Sequence, residues 1–499
     1  MAPVWMLAAI LLPLLGGAGL LLLKKKQAGT AKLLALALTC ATSILVWALI
    51  LTGSTATFRL ASFTDGLVVA YRLDGLGRFF AGILATLWPL TVLYALSYME
   101  HEPRQIAFFS FFTMSYAASL GVAMSSNLFT LYFNYELLTL ATMPLVLHPM
   151  TRAASKATRT YLFFSLGGAA FAFASMIFLI ANGGDGSFTL GGLLNGHPYA
   201  PEITRIFFVL GFFGFGVKAA VFPLHVWLPR AAVAPTPVTA LLHAVAVVKA
   251  GAFAVIRLTW FCFGTDLLAG TWAQWVPMLF ILFTILYGSV MAVKCPHWKR
   301  RLAYSTVANL SYVLFGALLM TPAGLAAGLL HMAAHACIKI LAFFCAGAVL
   351  HRTGREYNVE LDGLGRKMPL TFACFTVSAL ALTGIPPFNG FVSKWYLLTA
   401  SAEAGTTLAY AGAAALLISA LLTAIYMFTV VSRAWFPRRD GPAGPILPRD
   451  AAPRRALPAR CEADWRMNLP DVLLALATLA AGLFSQPIID AVERIVSQS

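Results

Sequence analysis

The sequence predicts an all-α polytopic membrane protein of about fourteen transmembrane helices. Within it, two inverted five-helix repeats (helices 4–8 and 9–13) are expected, with helices 7 and 12 broken. Two observations carry the fold class. Of 499 residues, 60% are hydrophobic and only 11% charged, with a mean hydropathy of +0.81, well beyond the roughly 45–50% apolar content of a soluble domain. Apolar stretches also recur along the whole chain, each near the roughly 20 residues that cross a bilayer as helix. They are continuous and rich in Leu and Ala, without the alternation that strands of a closed barrel require.

The predicted spans run 4–23, 31–52, 75–98, 106–124, 127–149, 157–182 and 203–222 in the first half. They continue as 236–258, 270–294, 301–320, 322–350, 368–400, 407–432 and 469–492. Span 1 is followed, not preceded, by Lys24, Lys25 and Lys26, so it reads as a retained helix and not a signal peptide. With the N-terminus outside, 25 basic residues fall in cytoplasmic segments, 6 in external ones and 4 lysines within spans. That asymmetry follows the positive-inside rule of a bacterial-type inner membrane and places both termini on the outer side. The net charge of +16 is thereby explained by topology, and no nucleic-acid partner is expected. The whole of 1–499 reads as one membrane domain. It divides into a first repeat at 105–258, a second at 270–432, a polar connector at 433–468 and the last helix. Seven cysteines occur without CxxC or metal-site spacing, so no iron–sulfur, zinc or other cofactor is expected in this chain.

Two spans are interrupted. Span 7 meets Pro223 shortly after Lys218, and span 12 contains GIPPFNG at 384–390, shortly before Lys394. Backbone freed at membrane depth is tolerated only where protein or a water-filled cavity surrounds it. Five helices separate the breaks, and an odd number per repeat inverts the topology of the second unit.

The charges inside the spans are the candidate functional residues. Of nineteen Asp and Glu residues, only Glu136 is expected well within a span. Lys218, Lys249, Lys339 and Lys394 join it on spans 7, 8, 11 and 12. Each charge at the bilayer centre costs roughly 3 kcal/mol even on insertion scales, so five cost on the order of 15. Snorkelling explains a lysine near a span end, but not Lys218 or Lys249 with apolar residues on both sides. Desolvation lowers a lysine's proton affinity and a nearby carboxylate raises it, so moving Glu136 against Lys218 would load and unload a proton. His331, His335 and Lys339 stand at i, i+4 and i+8, covering roughly 12 Å of one drifting helix face. Histidine binds a proton on one ring nitrogen while releasing another, so this ladder suits a relay. A zinc site would need a third ligand, which the spacing lacks. His243 lies about 120° round a continuous helix from Lys249, which leaves relay and core packing as equal readings. His225, beyond Pro223, reads as interfacial.

Several motifs resemble the antiporter-like proton-conducting subunits shared by respiratory complex I (NADH:quinone oxidoreductase), membrane-bound hydrogenases and Mrp Na+/H+ antiporters. They are DGLGRFF at 74–80, NYELL around Glu136, KAAVFPLHVWLP from Lys218, APTPVTALLHAVAVVKAG through Lys249 and KRRLAYSTVANLSY from Lys299. HMAAHACIKILAF from His331 and GIPPFNGFVSK ending at Lys394 complete the series, in order over nearly the whole chain. The resemblance implies that Glu136 pairs with Lys218, that Lys249 bridges toward Lys339 and the histidines, and that Lys394 gates the far half-channel. It also implies other membrane subunits as partners, with protons, and in some relatives Na+, as the ion moved. Two features depart from the pattern. LPRAAVAPTP lacks the Asp and His common after helix 7, and His297 stands where an Asp often precedes the KR pair. Lys394, which matches the helix 12 lysine of the family, disfavours the complex I subunit that uses a glutamate there. The expectation is a proton-translocating subunit of a redox-driven complex, with flavin, metal clusters and quinone held by partners. The alternative is a subunit of an Mrp-type antiporter without redox coupling.

Overall fold

The computed structural model describes residues 2–64, 66–184, 186–194, 200–437 and 457–497. Among these, α1 (Ala2–Leu20) and α2 (Ala28–Thr52) precede a hairpin of β1 (Phe58–Thr64) and β2 (Leu67–Tyr71). Then come α3 (Gly75–Tyr98), α4 (Gln105–Ala123), α5 (Leu128–Leu147), α6 (Arg152–Gly183), α7 (Pro201–Gly216), α8 (Trp227–Ala231), α9 (Thr236–Ala244) and α10 (Val247–Ile256). The chain continues through α11 (Thr265–Leu268), α12 (Trp272–Lys294), α13 (Trp298–Leu318), α14 (Pro322–Thr353), α15 (Leu364–Lys367) and α16 (Pro369–Thr383). It ends with α17 (Asn389–Ala404), α18 (Thr407–Trp435), α19 (Trp465–Leu483) and α20 (Gln486–Ser497).

Among the described residues, nine helical segments are long and apolar enough to cross a membrane by length and composition, and two shorter apolar helices accompany them. The outward faces are what a lipid solvent selects. Phe163, Leu166, Phe171 and Phe173 on α6, and Leu417, Leu421 and Ile425 on α18, are exposed, a placement lipid tails favour as much as a protein core would. The 32-residue α14 forms the centre, packed by α3, α9, α13, α16, α17, α19 and α20. It opens where Thr321 Oγ1 accepts from the Gly324 N–H at 3.1 Å and stops at Gly354, whose φ of 70° suits a residue without Cβ.

The breaks expected in spans 7 and 12 are present: α7 ends at Gly216 just before Lys218, and residues 384–388 separate α16 from α17. Three differences from the expected elements have physical reasons. Span 8 is also broken, between α9 and α10 at Val245 and Ala246, where both amides turn back to the Leu241 carbonyl. It then widens into a π-helical segment at Arg257–Phe263. The segment between α2 and α3 is not plain loop: FRLASFT and LVVAY pair antiparallel, as β-branched and aromatic content favours. The last span is two elements, because α19 stops at Leu483 and α20 packs on α14 and α3 as an amphipathic helix with Ile489 and Val492 buried. Of the predicted connector 433–468, residues 438–456 lie outside the described residues.

One buried ion pair ties the start of α3 to the π-helical segment. Arg257, fully buried among the rings of Phe188, Phe253 and Phe261, donates to Asp74 Oδ1 at 2.5 Å. Asp74 is the N-cap of α3 and accepts from the Gly77 N–H at 2.8 Å. Burial pushes the Asp74 carboxyl up, yet Arg257, the Gly77 N–H and Arg72 together hold it below its ordinary value. A carboxyl held low in the fold stabilises above its ordinary pKa, and that stabilisation disappears as acid protonates it. Asp74→Asn strands the Arg257 charge and is expected to cost roughly 3–5 kcal/mol at neutral pH. Thermal unfolding of the detergent-solubilised protein measures this, with the gap to the native protein closing as pH falls below the carboxylate range.

Candidate functional site

Each of the four lysine ammoniums finds acceptors on a neighbouring element. Lys218, in the turn after α7, is fully buried and lies 3.4 Å from Glu136 Oε1 on α5. It also donates to the Tyr135 carbonyl and sits over the Tyr135 ring, 3.2 Å from the centroid. Glu136 is partly exposed, on the same face as the exposed Phe133 and Leu140.

Lys249 on α10 donates to the Ala244 carbonyl, which the break in span 8 leaves free of its helical partner, and lies 3.2 Å from His335 Nδ1. The break also removes the continuous-helix geometry behind the 120° offset expected for His243. That imidazole is fully buried at the end of α9 against Phe343, and neither ring nitrogen has a partner among the described residues. His225 is buried as well, against Phe222 and Tyr287.

Successive i+4 steps on α14 drift by about 40°, so the ladder fans out. His335 faces Lys249 of α10, and Lys339 donates to the Leu302 carbonyl at 3.0 Å and to Ser305 Oγ on α13. His331 Nδ1 lies 3.0 Å from Ser393 Oγ on α17. The two imidazoles remain neighbours, with ring centroids 6.1 Å apart. Lys394 is only partly buried and donates to the Leu382 and Thr383 carbonyls at 2.7 and 2.9 Å, both exposed by the break between α16 and α17. The Tyr312 ring stands between the last two groups, 5.7 Å from Lys394 Nζ and 5.0 Å from the His331 ring. The eight residues thus form a run of local contacts and not one hydrogen-bonded chain.

Glycines let the broken segments approach. A Cβ at Gly251 on α10 would overlap the Ala219 amide and the Lys218 backbone, and one at Gly390 would overlap the Ala381 carbonyl. Sequence reasoning missed several charges. Asp471 is fully buried on α19, so Glu136 is not the only acid inside a span. Lys299 donates to the Ala234 carbonyl at 2.8 Å, and Arg301 to the Cys295 and Tyr426 carbonyls at 3.0 and 2.9 Å. His297 pairs at 3.5 Å with Glu356, and its hydrogen bond holds that carboxyl below its ordinary range. No cluster of three or more His, Cys, Asp or Glu suited to a metal ion occurs among the described residues.

Broken helices, buried lysines and a partly exposed glutamate define an antiporter-like multi-pass membrane protein. The chain belongs to the NADH:quinone oxidoreductase/Mrp antiporter transmembrane family, which matches residues 125–423. It is 34% identical over 409 residues to NADH-quinone oxidoreductase subunit N of Desulforudis audaxviator, covering 80% of this chain and 78% of that one. It is 31% identical over 362 residues to hydrogenase-4 component B of Escherichia coli, covering 69% of this chain but only 52% of that longer protein. The fold matches a chain of the Mrp complex from Dietzia sp. DQ12-45-1b with a TM-score of 0.84 at 23% identity, over 100% of this chain and 97% of that one.

Gly251→Ala tests the packing beneath Lys218. Alanine is the better helix former by about 1 kcal/mol, so an open site would be stabilised. The overlap with the Ala219 amide predicts the opposite sign, a lowered melting temperature of the purified protein.

Proposed function

We propose that this chain translocates protons along a lateral line of Glu136, Lys218, Lys249, His335, Lys339, His331 and Lys394, with His243 beside it. The observation that carries the reading is a set of ionisable groups within or beside the spans, most of them fully buried, with Lys218 against Glu136, Lys249 against His335 and His331 against Ser393. Such groups are costly in a bilayer and lie, as a rule, on ion pathways. In this reading Glu136 modulates the Lys218 charge, Lys249 passes a proton to His335, and Lys394 controls the far end beside Tyr312. The fold is read as fourteen helices with repeats at 105–258 and 270–432, whose broken members carry Lys218 and Lys394.

The driving complex is proposed to be redox-coupled, of the complex I or hydrogenase type. The coverage of subunit N over most of both chains favours this, with electron chemistry left to partner subunits. Glu136, partly exposed beside Phe133 and Leu140, needs a neighbouring membrane subunit to cover it. The second reading, a subunit of an Mrp-type sodium/proton antiporter, is favoured by the fold likeness to an Mrp complex chain. Residence in a bacterial inner membrane with both termini outward is proposed from the distribution of basic residues.

Lys218→Ala is expected to leave assembly intact and lower coupled proton flux in proteoliposomes on the order of 100-fold, the scale of a lost proton-transfer group. Unchanged flux sinks the assignment, and loss of assembly together with flux supports a purely structural role. Mass spectrometry of the co-purifying subunits decides between the drivers: redox subunits support the first reading, and sodium-dependent flux without them supports the second.

A further inference from the structure

Asp471 does not belong to the line of buried lysines, yet it is a buried acid with no compensating partner among the described residues. It is fully buried in the second turn of α19, and neither carboxyl oxygen has a hydrogen-bond partner among the described residues. The titratable groups near enough to act on it are Tyr94 of α3, Cys345 of α14, Cys374 of α16 and Glu462 of the connector, none of them a cation. An ionised carboxylate in that setting carries a large desolvation cost with nothing to offset it; a bound proton removes the charge.

Asp471 is also not alone on its helix face. Asn468 Oδ1 and Thr478 Oγ1 are likewise buried without partners. Positions 468, 471, 475, 478 and 482 fall within roughly 60° of the Asp471 direction on a 3.6-residue helix, and Ser485 follows just beyond the end of α19. Leu469, Leu473, Leu476 and Leu483, on the other side, are exposed as a lipid face. The helix therefore turns leucines outward, while α3, α14, α16 and α17 pack against it on the side of the unsatisfied polar stripe. Buried polar groups are rarely left unpaired, and a stripe of them marks a place where water is taken up.

Both ends of the stripe lead somewhere. At one end is Glu462, which accepts from the Leu370 amide at 2.6 Å and from Thr371 Oγ1 at 2.8 Å at the start of α16. At the other end Gly482 lies directly on the break between α16 and α17, where a Cβ would overlap the Pro387 carbonyl and the Asn389 amide. Beside that contact is a cavity of about 80 Å³ whose lining is mostly apolar, with Asn389, Ser393 and Ser485 as its polar side chains among Leu330, Val392 and Ile488. Asn389 Oδ1 is another buried atom without a partner, and Ser393 lies 3.0 Å from His331 Nδ1.

We propose that α19 carries a proton branch from the Glu462 face through Asp471 and Thr478 to the Asn389 cavity, joining the main line at His331. Asp471 takes up one proton to become a neutral carboxylic acid and releases it to water taken up along the stripe, which carries it over the roughly 10 Å of helix rise to Thr478. The threonine hydroxyl accepts one proton as it donates another, and the Ser393–His331 pair receives the charge. No bond other than O–H or N–H changes. The branch rests on the proton-translocating reading above, and the test separates the two.

The assembled complex carrying Asp471→Asn, Thr478→Val or Lys218→Ala is reconstituted in proteoliposomes, and coupled proton flux is measured beside subunit composition. Asp471→Asn is expected to assemble normally and lose flux on the order of 100-fold. Asp471→Glu restores a part, and Thr478→Val, which removes only the hydroxyl, loses severalfold. Infrared spectroscopy of the native complex shows a protonated-carboxyl C=O band that Asp471→Asn abolishes. Normal flux in Asp471→Asn or Thr478→Val alongside a lost flux in Lys218→Ala overturns the branch and leaves the main line standing. Normal flux in all three overturns the reading beneath it. If Asp471→Asn does not assemble, Thr478→Val and the native infrared band decide, and absence of either effect overturns the branch.

Discussion

Charge in a low-dielectric bundle must be met by dipoles or countercharge, and the architecture follows from how this chain supplies them. Only Lys218 has a carboxylate at hand; Lys249, Lys339 and Lys394 rely on carbonyls, a hydroxyl and an imidazole. A continuous helix uses its carbonyls in its own ladder. Interrupting the ladder releases acceptors at membrane depth, and Lys249 and Lys394 take carbonyls that breaks in their own spans expose. The strain of a broken helix and the cost of a buried ammonium thus offset each other at the same place.

Much of this was legible in the sequence because the bilayer makes the signal coarse. Spans of apolar residues, the breaks at Pro223 and 384–388, and the lysines beside them can be read without knowing any contact. The break in span 8 was not, since ALLHAVAVVKAG carries neither proline nor a glycine at the point of rupture and its apolar run never pauses. The order of contacts was half legible. Spacing placed His331, His335 and Lys339 on a common face, but the drift of that face determines which neighbour each meets, and this needs the positions of α10, α13 and α17. Asp471 escaped because it lies only two residues inside the predicted start of its span, where an acid is unremarkable; α19 in fact begins at Trp465. The β-hairpin escaped because its strands, of seven and five residues, are too short to register among runs long enough to cross a bilayer.

The two ion pairs made by fully buried cations differ in closeness. Near the start of α3, Arg257 meets Asp74 at 2.5 Å, and Asp74 also caps the helix. Glu136 and Lys218 stand 3.4 Å apart. In both, the carboxylate keeps about a fifth of its surface exposed, 20% for Asp74 and 21% for Glu136.

Gly251, Gly390 and Gly482 share a property beyond allowing close approach. Each lays the backbone of one interrupted or terminating segment directly on that of another, with no side chain between them. Side chains act as springs, absorbing small displacements by changing rotamer, whereas backbone pressed on backbone has almost no travel before it bears load. These three contacts are therefore rigid couplings: a shift of one broken segment is handed to its neighbour nearly undiminished. The interrupted helices are geared to move together or not at all.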